Sequence, residues 1–189
     1  MAKNWLAAFI TVCTIVFSSI FFVLYFNHQL STAHFYVGVS GGNANVSMSQ
    51  YNLGATPIKD INLPPGWYQF NLDTDYYHYD LPIRLSPKTA TIIDWQTSTS
   101  LEKSSGVIYE LTPLTTRDSL LTVVTIPDKT QLIIDESSRS ASFAPLVEEN
   151  LSDGHHQLQV TLPGYQTLTV PMKLTPGYEL KLTVKLAQS

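Results

Sequence analysis

Two stretches of this 189-residue chain lie over one another almost without gaps. "ATPIKDINLPPGWYQFNL" at 55–72 set above "FAPLVEENLSDGHHQLQV" at 143–160 brings Pro57 onto Pro145, Asn62 onto Asn150, Leu63 onto Leu151, Gly66 onto Gly154 and Gln69 onto Gln157, each pair 88 positions apart. Downstream, "LPIRLSP" (81–87) meets "VPMKLTP" (170–176) at a spacing of 89; upstream, "NVSMS" (45–49) meets "QLIID" (131–135) at a spacing of 86. A repeat at this scale means that one supersecondary unit is built twice, with insertions falling in its loops. Whatever residues 35–96 fold into, residues 119–187 fold into as well.

The local pattern of both copies is β. "ELKLTVKL" (179–186) alternates without a break, Leu180, Leu182, Val184 and Leu186 facing one way and charged or hydroxyl side chains the other, as in a strand with one wet face. "LTVVTI" and "TQLIID" are divided by the turn signal Pro127-Asp128-Lys129. "HHQLQVTL", Pro163-Gly164 and "YQTLTVPMKL" read as a hairpin, and Thr175-Pro176-Gly177 turns into the last strand. Each copy is expected to hold about five short strands and little helix. A unit of that size encloses only a small core, so the two are expected to pack together. Residues 97–118 connect them. Their ends are Ser/Thr-rich, while "GVIYELTP" in the middle has the composition of a strand. A flexible tether is the alternative.

Ahead of the repeat, residues 5–26 ("WLAAFITVCTIVFSSIFFVLYF") contain no charged side chain. At 1.5 Å per residue these 22 residues make about 33 Å of helix, enough to cross a hydrocarbon layer of about 30 Å. Trp5 and Tyr25 stand near its two ends, as interfacial rings do. Lys3 precedes it and no charged residue follows until Lys59, which places residues 1–4 in the cytoplasm and everything after the juxtamembrane residues 27–34 outside. The alternative is a cleaved signal peptide ending near Ser31-Thr32-Ala33, but the apolar run is longer than a signal core of about 7–15 residues. Cys13, the single cysteine, lies mid-segment as a small apolar filler, so no disulfide forms within one chain.

The order of turns and strands resembles the PEGA domain, a small β-sandwich-like module of prokaryotic surface and envelope proteins. Gly54-Ala55-Thr56-Pro57 matches its Gly-x-Thr-Pro element. Leu63-Pro64-Pro65-Gly66 and Leu151-Ser152-Asp153-Gly154 match the turn before its third strand, and Pro163-Gly164-Tyr165 matches its Gly-Tyr turn. The chain departs from the family pattern in three places. The naming turn reads Gly41-Gly42-Asn43-Ala44 in the first copy and Pro127-Asp128-Lys129-Thr130 in the second. Ser142-Phe143-Ala144-Pro145 replaces Gly-x-Thr-Pro, and no glycine precedes Tyr77. The resemblance implies an all-β fold of two tandem antiparallel sandwich-like modules behind one transmembrane helix. It implies a surface-exposed interaction or structural role and transfers no catalytic residue set. Gly54, Thr56, Pro57, Gly66, Pro145, Gly154, Gly164 and Tyr165 are then structural turn residues.

The chain carries 11 basic and 15 acidic side chains, a formal net charge of −4, which argues against binding along a nucleic-acid backbone. No nucleophile elbow, phosphate loop or His-Glu-x-x-His motif is present. His155 and His156 are adjacent, so on a strand they diverge to opposite faces and do not share a metal; they are expected as a solvated pair. Asp73, Asp75 and Asp80 flank a hairpin tip, where acids are normally solvated. No catalytic group, metal or cofactor is expected. Asn45-Val46-Ser47 and Asn150-Leu151-Ser152 fit the N-glycosylation sequon.

The segment densest in rings is "GWYQFNLDTDYYHYDLPIRLSP" (66–87). Laid over residues 154–176 it becomes two strands of a hairpin. Tyr68, Phe70 and Leu72 share one face of the first strand; Tyr77, Tyr79, Leu81, Ile83 and Leu85 share one face of the second. Trp67, Tyr76 and His78 fall opposite and are the candidate ligand-contacting face. The expected function is that of a membrane-anchored, non-enzymatic binding or structural protein of the cell envelope, contacting an envelope polymer or another envelope protein. The alternative is an accessory or sensory subunit coupled through its membrane helix.

Overall fold

The computed structural model describes residues 16, 18–20, 32–135, 142–148 and 151–189. The expected membrane span, 5–26, lies almost wholly outside these. Its described members Val16, Ser18, Ser19 and Ile20 are helical, and among the described residues no helix is long and apolar enough to cross a membrane.

The rest is β-structure. The strands are β1 (Ala33–Ser40), β2 (Ala44–Met48), β3 (Tyr51–Ala55), β4 (Ile58–Leu63), β5 (Gly66–Thr74), β6 (His78–Leu85), β7 (Ala90–Gln96), β8 (Ser105–Pro113), β9 (Leu120–Ile126), β10 (Gln131–Ile134), β11 (Ser142–Phe143), β12 (Leu146–Glu148), β13 (Gly154–Thr161), β14 (Leu168–Leu174) and β15 (Tyr178–Lys185). Among the described residues each copy of the repeat therefore holds seven strands, where about five were expected. The difference lies in β3–β4 and β11–β12. These are short, weakly alternating strands around Pro57 and Pro145, where the sequence carries mainly turn signals. The first strand also starts two residues earlier than the expected boundary, because Ala33 already pairs with Leu63 and is buried.

These strands form three sheets. Two are four-stranded, β3-β2-β5-β6 and β11-β10-β13-β14, and their strand orders coincide when the copies are superposed. Register agrees too: Gly66 faces Leu85 and Phe70 faces Leu81 in one hairpin, while Gly154 faces Leu174 and Leu158 faces Val170 in the other. The third sheet has seven strands in the order β12-β9-β15-β8-β7-β1-β4 and draws on both copies.

The segment between the copies is what joins them. Its strand β8 lies at the centre of the large sheet, antiparallel to β7 on one side and to β15 on the other. β7 and β15 consequently run parallel, and an approximate two-fold axis along β8 relates the copies. Such a rotation exchanges the faces of a sheet, so each four-stranded sheet covers a different face. Side-chain parity records this. Ile108, opposite Ile93, belongs to the core that contains Phe35, Phe70 and Trp95; its neighbour Val107, opposite Val184, belongs to the core with Leu158 and Leu182. A strand apolar on both parities can serve two cores at once.

Close packing at β8 explains its glycine. A Cβ on Gly106 would stand 2.1 Å from Cε3 of Trp95. The Trp95 ring is buried, stacks on Tyr79 with centroids 4.6 Å apart, and donates its indole N–H to the Tyr77 hydroxyl at 2.9 Å. Tyr77 thus lies in the turn between β5 and β6 and holds Trp95 through its hydroxyl, where the sequence placed it on the inner face of a strand. Burial, with Asp80 nearby, pushes the Tyr79 phenol up to about 12. Lys185 is buried at the far end of β15, its ammonium donating to the carbonyls of Leu101 (2.6 Å) and Ser104 (2.7 Å); burial lowers its pKa against the opposing pull of Glu102.

Candidate functional site

The β5–β6 hairpin divides by parity. Phe70, Leu72, Ile83 and Leu85 are buried in the first core, with Tyr68, Tyr79 and Leu81 packed against it. The other face turns Trp67, Gln69, Asn71 and Asp73 of β5 outward beside Arg84, Pro82, Asp80 and His78 of β6, which are their respective cross-strand partners. Trp67 is 67% exposed. It is held in orientation rather than buried. The Arg84 guanidinium stands 6.0 Å from the ring centroid, and the Pro64-Pro65-Gly66 turn that presents it is tied down by the Tyr68 hydroxyl donating to the Pro64 carbonyl at 2.8 Å. An exposed cation–π contact of this kind contributes about 0.5–1 kcal/mol.

Along the same face runs a lattice of amides and carboxylates. Gln69 donates to Asp80 at 2.6 Å, Asn71 donates to the Ser47 hydroxyl at 3.2 Å, and His78 Nδ1 is 2.6 Å from Asp73. These bonds fix the orientation of flexible side chains and leave each partner with unused donors or acceptors. Asn45, of the first sequon, is exposed on β2 of the same sheet; Asn150 lies outside the described residues.

The three candidate ring residues do not converge. His78 pairs with Asp73 at one end of the hairpin and Trp67 with Arg84 at the other, six residues along the strand, or about 20 Å at the usual strand rise. Tyr76, 65% exposed, sits in the turn near His78, where the Thr74 hydroxyl accepts the backbone N–H groups of Tyr76 and Tyr77. Residues 66–87 thus present two separate exposed features: a tryptophan–arginine pair at one end, and Tyr76 with the His78–Asp73 pair at the tip. Face parity is blind to distance along a strand, which is why the sequence merged them.

The two histidines of the second copy diverge in direction and also in environment. His155 is exposed, whereas His156 is buried, with its Nδ1 2.6 Å from Asp135 and its Nε2 2.7 Å from the Ser152 carbonyl. Hydrogen bonding to Asp135 raises the His156 pKa against the effect of burial. Reciprocally, the bond from His156, and then that from the Gln157 N–H, holds the Asp135 carboxyl below its usual range. The expectation of a solvated pair is corrected for His156, whose partner Asp135 comes from the end of β10.

The turn residues stand where the strands change direction. Gly54 (φ +87°) is next to last in β3, and Thr56-Pro57 leads the chain from the small sheet into β4 of the large one, as Pro145 leads it into β12. Gly66 and Gly154 open β5 and β13, the latter with φ +124°, a conformation only glycine adopts readily. Gly164 and Tyr165 turn the β13–β14 connection, and Tyr165 pairs with Gln188.

Glu110 carries no local signal of its role. It sits on β8, buried, with Oε1 accepting the Arg84 backbone N–H at 2.8 Å and Oε2 accepting the Lys181 ammonium at 2.9 Å. A lone acid in a Ser/Thr-rich connection reads as solvated; only the strand pairing puts it between two sheets.

Fold and surface together define an all-β protein of small two-layer units that offer exposed sheet faces and edges. Residues 119–189, which contain the second unit, match the model of the PEGA domain family. A search of curated proteins found no match to the chain.

Proposed function

We propose that the chain is a membrane-anchored, non-enzymatic binding protein of the cell envelope, with residues 1–4 cytoplasmic and its β-units outside, the first unit being a diverged copy of the PEGA domain. On this reading the outer face of the β5–β6 hairpin contacts an envelope polysaccharide. The exposure of Trp67 carries the reading. An indole two-thirds open to water on a sheet face, oriented by Arg84 and continued by Gln69, Asn71 and Asp80, offers a stacking surface beside fixed polar groups, which is what a sugar ring requires. Coincident strand order and register support the common origin of the units. Retention of the apolar segment is supported by Thr32 and Ala33. The Thr32 carbonyl accepts the Lys88 N–H at 2.9 Å and Ala33 is buried, so cleavage at 31–33 would remove part of β1 and its contacts.

The test is a pull-down of the full-length chain, in detergent, on purified envelope polysaccharide. Saturable binding that Trp67→Ala weakens by about tenfold or more, the equivalent of about 1.4 kcal/mol, is the expected result. Binding that Trp67→Ala leaves unchanged would contradict the assignment of the face. The absence of glycan binding, with crosslinks to one membrane protein, would favour the accessory-subunit alternative.

A further inference from the structure

The approximate two-fold axis creates two equivalent notches, each between the edge strand of a four-stranded sheet and the uncovered face of the large sheet. They are filled differently. Beside β6 the notch is sealed from within the chain. Glu110 of β8 accepts the outward N–H of Arg84 on the strand edge, and Ser86 and Thr112 meet hydroxyl to hydroxyl at 3.3 Å. Beside β14 the residues of β8 with the opposite parity, Tyr109 and Leu111, face the notch, and neither brings a carboxylate as Glu110 does. It remains an open groove, one part about 280 Å³ and the next about 430 Å³, both lined by Ala90 and Leu111.

Three features of this groove specify an occupant. Its floor is apolar: Tyr109, Leu111 and Leu180 line it beside Ile92, whose side chain is 43% exposed, one of the few large aliphatic residues so exposed among those described. Its wall is a strand edge. Lys173 is the equivalent of Arg84, and Gln157 turns its own backbone toward β10, so the N–H groups of Thr169 and Lys173 point away from β13, with Lys173 lining the notch. Pro171, between them, has no N–H to offer, as Pro82 has none in β6. Its rim carries two lysines, Lys173 on one part and Lys88 on the next, with the Asp94 carboxylate acting on Tyr109 from β7, while His34 at the far end is already paired with Asp60 at 2.6 Å.

We propose that this groove binds an extended peptide segment of a partner protein, one that places a carboxylate beside an apolar side chain and adds to the edge of β14. The carboxylate takes the part that Glu110 plays on the other side of the axis, accepting the Lys173 N–H with its charge facing the Lys173 ammonium. The apolar side chain covers Ile92 and Leu111. Strand addition of this kind draws affinity from main-chain hydrogen bonds and selectivity from the side chains that fall in the groove. The surface is separate from the Trp67 face, which belongs to the other unit's hairpin.

Selection of a random peptide library on the full-length chain in detergent micelles tests the proposal. The expected consensus is an acidic residue next to, or one removed from, an aliphatic or aromatic one. Binding of a selected peptide should fall about tenfold or more in Ile92→Glu and in Lys173→Glu and stay unchanged in Trp67→Ala. Far-UV circular dichroism checks that each variant is folded, and Lys173→Glu, at a strand edge, carries the test if Ile92→Glu does not fold. Selection of no consensus, of a basic one, or of one whose binding survives both groove variants would overturn the proposal. So would self-association of the chain in sedimentation that Ile92→Glu abolishes and no peptide displaces, which would assign the groove to a second copy.

Discussion

Gly106 and Trp95 show what a single residue decides in this protein. The indole occupies the space where a side chain at 106 would be, and it is fixed there by Tyr79 and by the hydroxyl of Tyr77. Gly106→Ala is expected to lower unfolding stability by about 1–3 kcal/mol, the usual cost of overfilling a packed core, measured by urea denaturation. His156 makes a pH-dependent contribution. Both of its ring nitrogens face acceptors, which suits the doubly protonated imidazolium. The raised His156 pKa stabilises the fold fully below the unfolded value of 6.5, and this is lost as pH rises through the folded value above it. The lowered Asp135 pKa stabilises above the unfolded value of 3.8 and is lost as pH falls through the folded value below it. The destabilisation caused by His156→Asn should therefore be greatest between those two reference values and smaller at about pH 8.5, as followed by urea midpoints at both pH values; equal effects would contradict the pairing.

At the scale of elements, β8 is where sequence and structure part. The repeat, the two long hairpins and their inward faces are legible because their signals are local: glycines at matched offsets, unbroken alternation, Pro-Gly turns. The same alternation tells that His155 and His156 diverge, but not that Asp135 arrives from another strand to bury one of them. Nothing local marks β8 as the shared centre of a seven-stranded sheet. Apolar residues on both parities fit a buried strand in any sheet, and its Glu110 acquires a role only when β6 and β15 are brought to it. Glu110→Ala is expected to cost about 1–3 kcal/mol in urea denaturation, since it leaves the Arg84 N–H without its acceptor and the partly exposed Lys181 without its counter-charge. Glu110→Gln, which keeps an oxygen for Arg84, should cost less. Equal losses would place the contribution in the charge rather than in the strand-edge hydrogen bond.

At the scale of the whole molecule, the two units are one body because they share a sheet. This arrangement sets the Trp67 face and the β14 groove in a fixed relation, one on each unit, so that a polymer and a peptide could be held at once by a single chain. Its thermodynamic signature is coupling between the cores. Trp95 reports on the first core, and the second unit contains no tryptophan. In a background carrying Trp5→Phe and Trp67→Phe, which leaves Trp95 as the one tryptophan, Leu182→Ala in the second core is expected to destabilise by about 2–5 kcal/mol. The decisive measurement is the urea transition of Trp95 fluorescence in that variant, compared with far-UV circular dichroism of the same sample. If β8 welds the units, the Trp95 midpoint moves down with the circular dichroism midpoint and the two transitions coincide. A Trp95 transition that stays at its original midpoint while circular dichroism splits into two steps would contradict the shared sheet.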